Sequence, residues 1–515
     1  MFYKKTSENL KTKNLKISID DFSKGLNFSV SENILNPNYS INSYNFSFNK
    51  GALTESYGFK ALTAPESADI NAVFKVPMMP LDKDDLQLVD TWYFKLFHRN
   101  YNQRRDKLIV LGADNIIYFM NLIERGPSID GYNIFTLSER PTCIMNYKIG
   151  GYDHNIICSE SDGIITWNGI DKPKKLTDAP KASSICVHDG RIYCTVDGDR
   201  SYIRYTSGDE ISVNGFSESA LDENGGKIVF GDNSKVNKVL SFMGYLYAFK
   251  DFGIAKITTY KNSIDFDIKN LSNSGNKIYE KTICICGDKI FMLTKDGITS
   301  FNGVSSELLN IEVNKLFDGV INPYAIACFH SGKYYLACRL NFQDGEQIGC
   351  EALEDVTIKN NAVIVLDVET LKYEVVRGVD LSSLTSVQYE TMDKIVICSN
   401  SWKVNQLIEF DKSGKFYNNV LKKAWNSPLT DLGYSDKIKL VKNFSILSYY
   451  DCKVTIYTEN KERTYNVVGK KTINKIKVNL KGKQIGIKIE SVSEKAYISN
   501  LKLDIDLLDY AYSVL

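Results

Sequence analysis

The stretch Asp106–Met120, DKLIVLGADNIIYFM, reads as a β-hairpin. Leu108 to Leu111 are apolar and partly β-branched, which favours a strand. Gly112, Ala113, Asp114 and Asn115 supply the turn, and Ile116 to Met120 return. The unit recurs. DHNIICSESDGIITWNG starts at Asp153, DGRIYCTVDGDRSYIRYTS at Asp189, GYLYAFKDFGIAKIT at Gly244, GDKIFMLTKDGITSFNG at Gly287, SGKYYLACRL at Ser331 and DKIVICSNSWKVNQLIEF at Asp393. The first strand residues of the copies are Leu108, Ile156, Ile192, Leu246, Ile290, Tyr334 and Ile395, at intervals of 36 to 61 residues. Four strands and their turns fill about 40–50 residues, the repeat of a β-propeller blade. The expectation is an all-β chain with about seven blades. Six or eight are possible, because propeller ends often share one blade between the termini. The alternative is a large all-β protein whose hairpins share only turn chemistry.

The 515 residues suffice for one multi-blade core and one or two small domains. Hydrophobic residues make 43% and charged residues 24%, ordinary for a soluble globular chain. A net charge of +1 does not advertise a polyanion partner for the chain as a whole. No run approaches the roughly 18 apolar residues of a membrane span. The opening MFYKKTSENLKTKNLKISIDD lacks the apolar core of a secretory signal. The eleven cysteines form no CxxC pair and most fall inside apolar strands, so buried free thiols made in a reducing cytoplasm are expected.

Residues 1–19 are lysine-rich and read as a flexible basic arm. Residues 20–65 read as an extended arm laid along the propeller or a neighbouring subunit. The apolar anchors Phe22, Leu26, Leu35, Phe46, Leu53 and Phe59 have no periodicity able to bury them locally. Residues 66–424 carry the blades. Within them LNFQDGEQIGCEALEDVTIKNN, after Arg339, is a long acidic insert that reads as an exposed loop. From 425 to 515 strands come at about ten-residue spacing with period-two alternation, as in Ile485/Ile487/Ile489, which indicates a small antiparallel β-sandwich. Between 436 and 488 thirteen Lys/Arg face four acids. The pairs Lys437/Lys439, Lys475/Lys477 and Lys481/Lys483 each alternate with apolar residues, which puts each pair on an outward face. Two readings are open: protection of exposed sheet edges, or a wall facing the DNA backbone or an acidic partner protein.

The arm also carries an ordered series: Phe22-x-x-Gly25-Leu26-Asn27, then Leu35-x-Pro37, then an Asn-rich step with Asn45, then Gly51-x-Leu53 and Gly58-Phe59. This resembles the opening of a family of tailed-bacteriophage virion proteins, which includes β-propeller nozzle proteins of short tails and related neck or tail-stabilisation proteins. The family usually has two adjacent glycines where this chain has Lys24-Gly25, and Arg-Pro-Gly where it has Ser56-Tyr57-Gly58. The Lys481-Gly482-Lys483 step followed by Ile-x-Ile is similar to the small C-terminal domain of many phage tail and neck proteins, where Gly-Arg is commoner.

The resemblance implies a non-enzymatic structural virion protein at the neck or tail, made in the bacterial host cytoplasm. It would form a ring, six- or twelve-fold favoured, with portal, connector or tail proteins as partners and transient contact with packaged double-stranded DNA. Phe22, Gly25, Leu26, Asn27, Leu35, Asn45, Gly51, Leu53 and Gly58 would then form an assembly arm. A channel must pass DNA without holding it, so Asp344, Glu346, Glu351, Glu354 and Asp355 are expected near the channel or an interface. Lys475, Lys477, Lys481 and Lys483 are expected to meet an acidic neighbour. The alternative is a receptor- or glycan-binding propeller at the tail tip.

A third class, a propeller glycosidase, would need paired carboxylates in the central funnel, and no such cluster is legible. The histidines His98, His154, His188 and His330 lack a ligand-spaced partner, and no GxSxG, HExxH or phosphate-binding loop occurs. No cofactor, metal or catalytic residue is expected.

Overall fold

The computed structural model describes residues 13–27, 31–62, 86–98, 102–122, 135–149, 151–159, 161–169, 171, 173–176, 179–196, 198–199, 201–207, 215–216, 225–232, 234–259, 266–271, 277–353, 357–389, 392–401 and 404–508. The protein is all-β, a seven-bladed propeller joined to a β-sandwich. The first blade is built from Leu88–Phe94, Lys107–Gly112, Ile116–Asn121 and Phe135–Thr136, so the hairpin that opens the sequence reading forms its two middle strands. The next five blades begin at Pro141–Ile149, Ile185–His188, Val236–Phe242, Cys284–Cys286 and Ile326–His330, each a four-stranded antiparallel sheet in chain order. The seventh begins at Leu381–Tyr389.

Turn chemistry sets these hairpins. The turns Asp189-Gly190, Met243-Gly244 and Ser331-Gly332 join first to second strands with both residues at positive φ, between 45° and 76°. That is the type I′ geometry whose twist matches paired strands, and its second position suits glycine.

The blades stack through apolar cores, one between each neighbouring pair. The core between the last and first blades closes the ring. There Leu88, Tyr93, Leu108, Val110 and Tyr118 meet Val387, Met392, Val396 and Cys398. First strands of neighbouring blades contact one another, so they surround the axis. At the closing seam Thr91 Oγ1 and Thr385 Oγ1 lie 2.8 Å apart, and Thr385 donates to the Thr91 carbonyl at 2.7 Å.

The fourth strand of the seventh blade comes from the other end of the chain. Gly58–Ala61 pairs antiparallel with Ile408–Asp411. This is the shared blade that the sequence leaves open. The approach at Gly58 is close, since a Cβ there would stand 2.5 Å from Ser413 Oγ and 2.7 Å from Lys415 N.

The arm departs from expectation. Lys13–Ile19 is not a free tail but a strand paired with Tyr497–Leu508, while residues 1–12 lie outside the described residues. Nor does the following segment run extended over a surface. Phe46–Asn49 and Ala52–Glu55 form a hairpin whose second strand continues the same sheet. Asn42–Tyr44 pairs with Lys423–Asn426 in the opposing sheet. The sandwich is therefore made from both chain ends. Its core combines Ile19, Phe22, Phe46 and Leu53 with Trp425, Phe444, Ile456, Ile487 and Leu503. Apolar anchors without period do find burial, but in strands separated from them by some 400 residues of chain. All eleven cysteines are free thiols, nine of them buried, in agreement with their place in apolar strands.

Candidate functional site

The acidic loop of the sixth blade folds onto one arginine. Arg377 ends the outermost strand of that blade, Tyr373–Arg377, and its side chain is buried. Its Nη1 donates to Asp344 at 2.7 Å, and its Nε and Nη2 fork onto Glu351 at 3.1 and 3.0 Å. Nη2 also donates to the Glu346 carbonyl at 2.6 Å. The guanidinium lies 4.0 Å from the ring centroid of Phe342 and 5.0 Å from that of Tyr44. A planar fork matches this bidentate, stacked setting, whereas a lysine ammonium could not.

The Glu346 side chain turns toward the sandwich. It accepts from Lys422 at 2.6 Å and Lys488 at 2.7 Å, and both lysines also hold Glu490. Burial alone would raise Glu346, but the two lysine hydrogen bonds win and hold it down at about 2. Burial would raise Asp344 too, but the Arg377 hydrogen bond and charge, the Glu346 backbone N–H and the Asn42 amide together lower it. Glu351 is raised, since burial outweighs the same arginine. Asn42 donates to Asp344 at 2.9 Å and Tyr44 to Glu346 at 3.2 Å.

Asp344, Glu346 and Glu351 are thus neutralised within the chain, in the seam between propeller and sandwich. The acids expected near a channel or an interface therefore face Arg377, Lys422 and Lys488 of their own chain. Glu354 and Asp355 lie outside the described residues.

The arm residues are intramolecular anchors. Asn45 is the pivot. It is buried, with φ of 60°, a conformation that asparagine tolerates better than most residues. Its amide donates to the carbonyls of Arg377 (3.1 Å) and Lys422 (2.7 Å), and its Oδ1 accepts from Arg377 N at 2.8 Å. One side chain therefore ties the sixth blade to the start of the sandwich. Phe22 packs edge-on against Trp425 with centroids 4.9 Å apart. Leu26, Leu35 and Leu53 are buried. Gly25 and Gly51 take positive φ, and Asn27 N donates to Ser40 O.

The basic face is split. Lys439 is fully buried, with its ammonium held by the carbonyls of Tyr434 and Lys437, so it does not share an outward face with Lys437. Loop carbonyls satisfy that ammonium, and burial pushes its pKa down. Lys475, Lys477 and Lys481 are exposed on Lys470–Gly482, and Lys483 is exposed just beyond it, its backbone N–H bound to Glu459 at 2.8 Å.

Two histidines prove to be stitches between blades. His188 Nδ1 lies 2.8 Å from Ser241 Oγ of the next blade, and His330 Nδ1 lies 2.9 Å from Ser386 Oγ. Burial lowers both below the ordinary histidine range, against partial opposition from Asp189 and Asp393. His154 lies half-buried in the strand Tyr152–Ser159 with its Nδ1 2.9 Å from the Tyr152 carbonyl, and the His98 side chain lies outside the described residues. Among the described residues no group of three or more His, Cys, Asp or Glu could hold a metal ion.

The sequence reading passed over Arg377 and Lys422, and counted Lys488 only among the thirteen basic residues of 436–488. A single arginine ending the apolar strand YEVVR is the one local signal that a buried acid partner exists.

No family model matches the chain, and no curated protein matches it. Among solved structures it is similar to Raptor of Chaetomium thermophilum, with 11% identity and a TM-score of 0.39 over 65% of this chain and 29% of that one. The chain thus spans less than a third of the Raptor chain. It is also similar to the RRP9 WD40 repeats, with 10% identity and a TM-score of 0.38 over 67% and 98% of the two chains. A third is BBS1N, solved in complex with ARL6DN, with 8% identity and a TM-score of 0.36 over 68% and 96%.

Proposed function

We propose that this chain is a structural protein of a tailed-bacteriophage virion, without enzymatic activity, that assembles into a ring at the neck or tail and joins, seals or gates the DNA passage. What supports the reading is the way the phage-like arm and the C-terminal sandwich fold together. They form one lobe locked to the rim of the propeller through Asn45 and Arg377. Such a lobe gives each subunit a rigid lateral shoulder, and rigid heterologous contacts repeated around an axis close into rings.

DNA would pass between subunits and not through one propeller. Within one propeller, side chains tie neighbouring blades together: Asn146 of the second blade donates to the Tyr93 carbonyl of the first, and Lys238 of the fourth donates to the carbonyls of Glu280 and Ile283, which lead into the fifth, at 3.1 and 2.9 Å. The partners in this reading are further copies of the chain and portal, connector or tail proteins. The receptor- or glycan-binding alternative gains little from Trp167 and Trp425, which are buried, while Trp402 lies outside the described residues.

Electron microscopy of the purified full-length protein tests the ring, with closed six- or twelve-fold particles as the expected result. A strictly monomeric protein at every concentration, or binding to host surface glycans without rings, overturns it.

A further inference from the structure

Lys470–Gly482 is a thirteen-residue strand at the edge of its sheet. Ile438–Ser448 pairs with one side of it, and among the described residues no strand pairs with the other. Toward its C-terminal end the free side is already used, since the Val478 carbonyl accepts from Arg463 Nη1 at 2.6 Å and Tyr465 OH at 3.2 Å. The open stretch is therefore 470–477.

Along the strand, Lys471, Ile473, Lys475, Lys477, Asn479 and Lys481 alternate outward, while residues 474, 476, 478, 480 and 482 turn inward. None of Lys470, Lys471, Lys475, Lys477 and Lys481 has an ion-pair partner among the described residues. Elsewhere in this lobe Lys422, Lys442 and Lys488 are all paired with carboxylates. Beside these charges stand two exposed aliphatic side chains, Ile473 at 53% and Val468 at 70%, with the Asn474 amide bonded to the Val468 carbonyl.

We propose that this edge is a docking strand for an extended acidic segment of a neighbouring protein, which adds to the sheet by backbone pairing and sets carboxylates opposite the lysines. The inference deepens the assembly reading above, on which it rests only for the partner being a virion component. Three observations select this occupant. A row of lysines repels a second copy of itself, so edge-to-edge pairing between identical chains is blocked while an oppositely charged strand is welcomed. Residues two apart stand about 6.6–6.8 Å apart, so acids at alternate positions of an incoming strand fall opposite alternate lysines. Ile473 and Val468 gain burial against a polypeptide and nothing against a phosphate backbone, which favours protein over DNA.

The test uses the full-length protein and fluorescence anisotropy. The probes are a labelled short peptide of alternating glutamate and valine, the same peptide N-methylated at alternate backbone nitrogens, and a labelled DNA duplex. Binding of the plain peptide should weaken about tenfold or more on N-methylation, and equally in Lys475→Glu/Lys477→Glu. Ile473→Pro, which leaves the charges in place, should also weaken it, with circular dichroism confirming that both variants fold. Equal binding of the plain and methylated peptides reduces the edge to a charged surface and overturns strand addition. Binding of the duplex without the peptide overturns the choice of protein, and absence of any binding overturns the site. Peptide binding by a protein that forms no rings leaves this edge standing and removes the assembly reading.

Discussion

Replacing Arg377 with methionine keeps most of the side-chain volume and removes the cation from the seam. Asp344 and Glu351 then keep their places, at 15% and 11% side-chain exposure, without the group that neutralises them. Breaking a buried ion pair from one side costs about 3–5 kcal/mol, because the remaining charge is stranded in low dielectric. Slight exposure of both carboxylates lets water or a proton relieve part of this, so the lower end of that range is expected at neutral pH.

The pH dependence carries the mechanism. In the variant the two stranded carboxyls favour the neutral form when folded, so their pKa values rise above the unfolded values. The penalty is then absent below about pH 4 and grows as pH rises through the folded pKa values. Urea denaturation followed by tryptophan emission, at about pH 4 and about pH 7, measures it, because Trp425 sits in the core of the adjoining sandwich. Adding Asp344→Asn and Glu351→Gln to the variant should recover much of the loss. A cost below about 1 kcal/mol at neutral pH, or one that does not change between the two pH values, refutes the argument.

Gly58→Ala pushes a methyl to within 2.6 Å of Asp411 Oδ1 and 2.5 Å of Ser413 Oγ, so the closing strand of the seventh blade must shift. The expected loss is about 1–3 kcal/mol with faster proteolysis at that blade, and wild-type protease resistance would count against close packing there. His188 and His330 are held neutral by burial, so the unfolded chain takes up protons first and stability falls as pH drops below about 6.5 toward their lower folded values. His188→Asn/His330→Asn should flatten that limb of a stability-versus-pH curve; an unchanged slope assigns it elsewhere. Deleting residues 1–62 removes strands from the sandwich and the fourth strand of the seventh blade, so the truncated chain should aggregate or lose cooperative unfolding. A soluble, cooperatively folding truncation would show that the arm is dispensable to the fold.

The sequence by itself determined the repeated unit. Turn residues beside short apolar runs, as at Asp189-Gly190 and Ser331-Gly332, specify hairpins locally, and their recurrence implies blades. Period-two alternation in Ile485/Ile487/Ile489 was enough for the second domain, because each strand reports its own buried face. Only the tertiary structure decided where the ends of the chain go. Gly58–Ala61 is four residues long, and nothing local tells such a segment that its partner is Ile408–Asp411. Phe22 and Leu53 announce that they need burial but not that Trp425 and Ile498 provide it. Charge counting failed for a related reason. The composition of the Asp344–Glu351 loop is acidic, yet its electrostatics are set by Arg377, Lys422 and Lys488, brought close by folding. Lys439 looks outward by alternation and is buried because carbonyls five residues back and two residues back reach its ammonium. Local pattern encodes which side of a strand is apolar; partners far apart in the chain are chosen by the whole packing, which no single stretch contains.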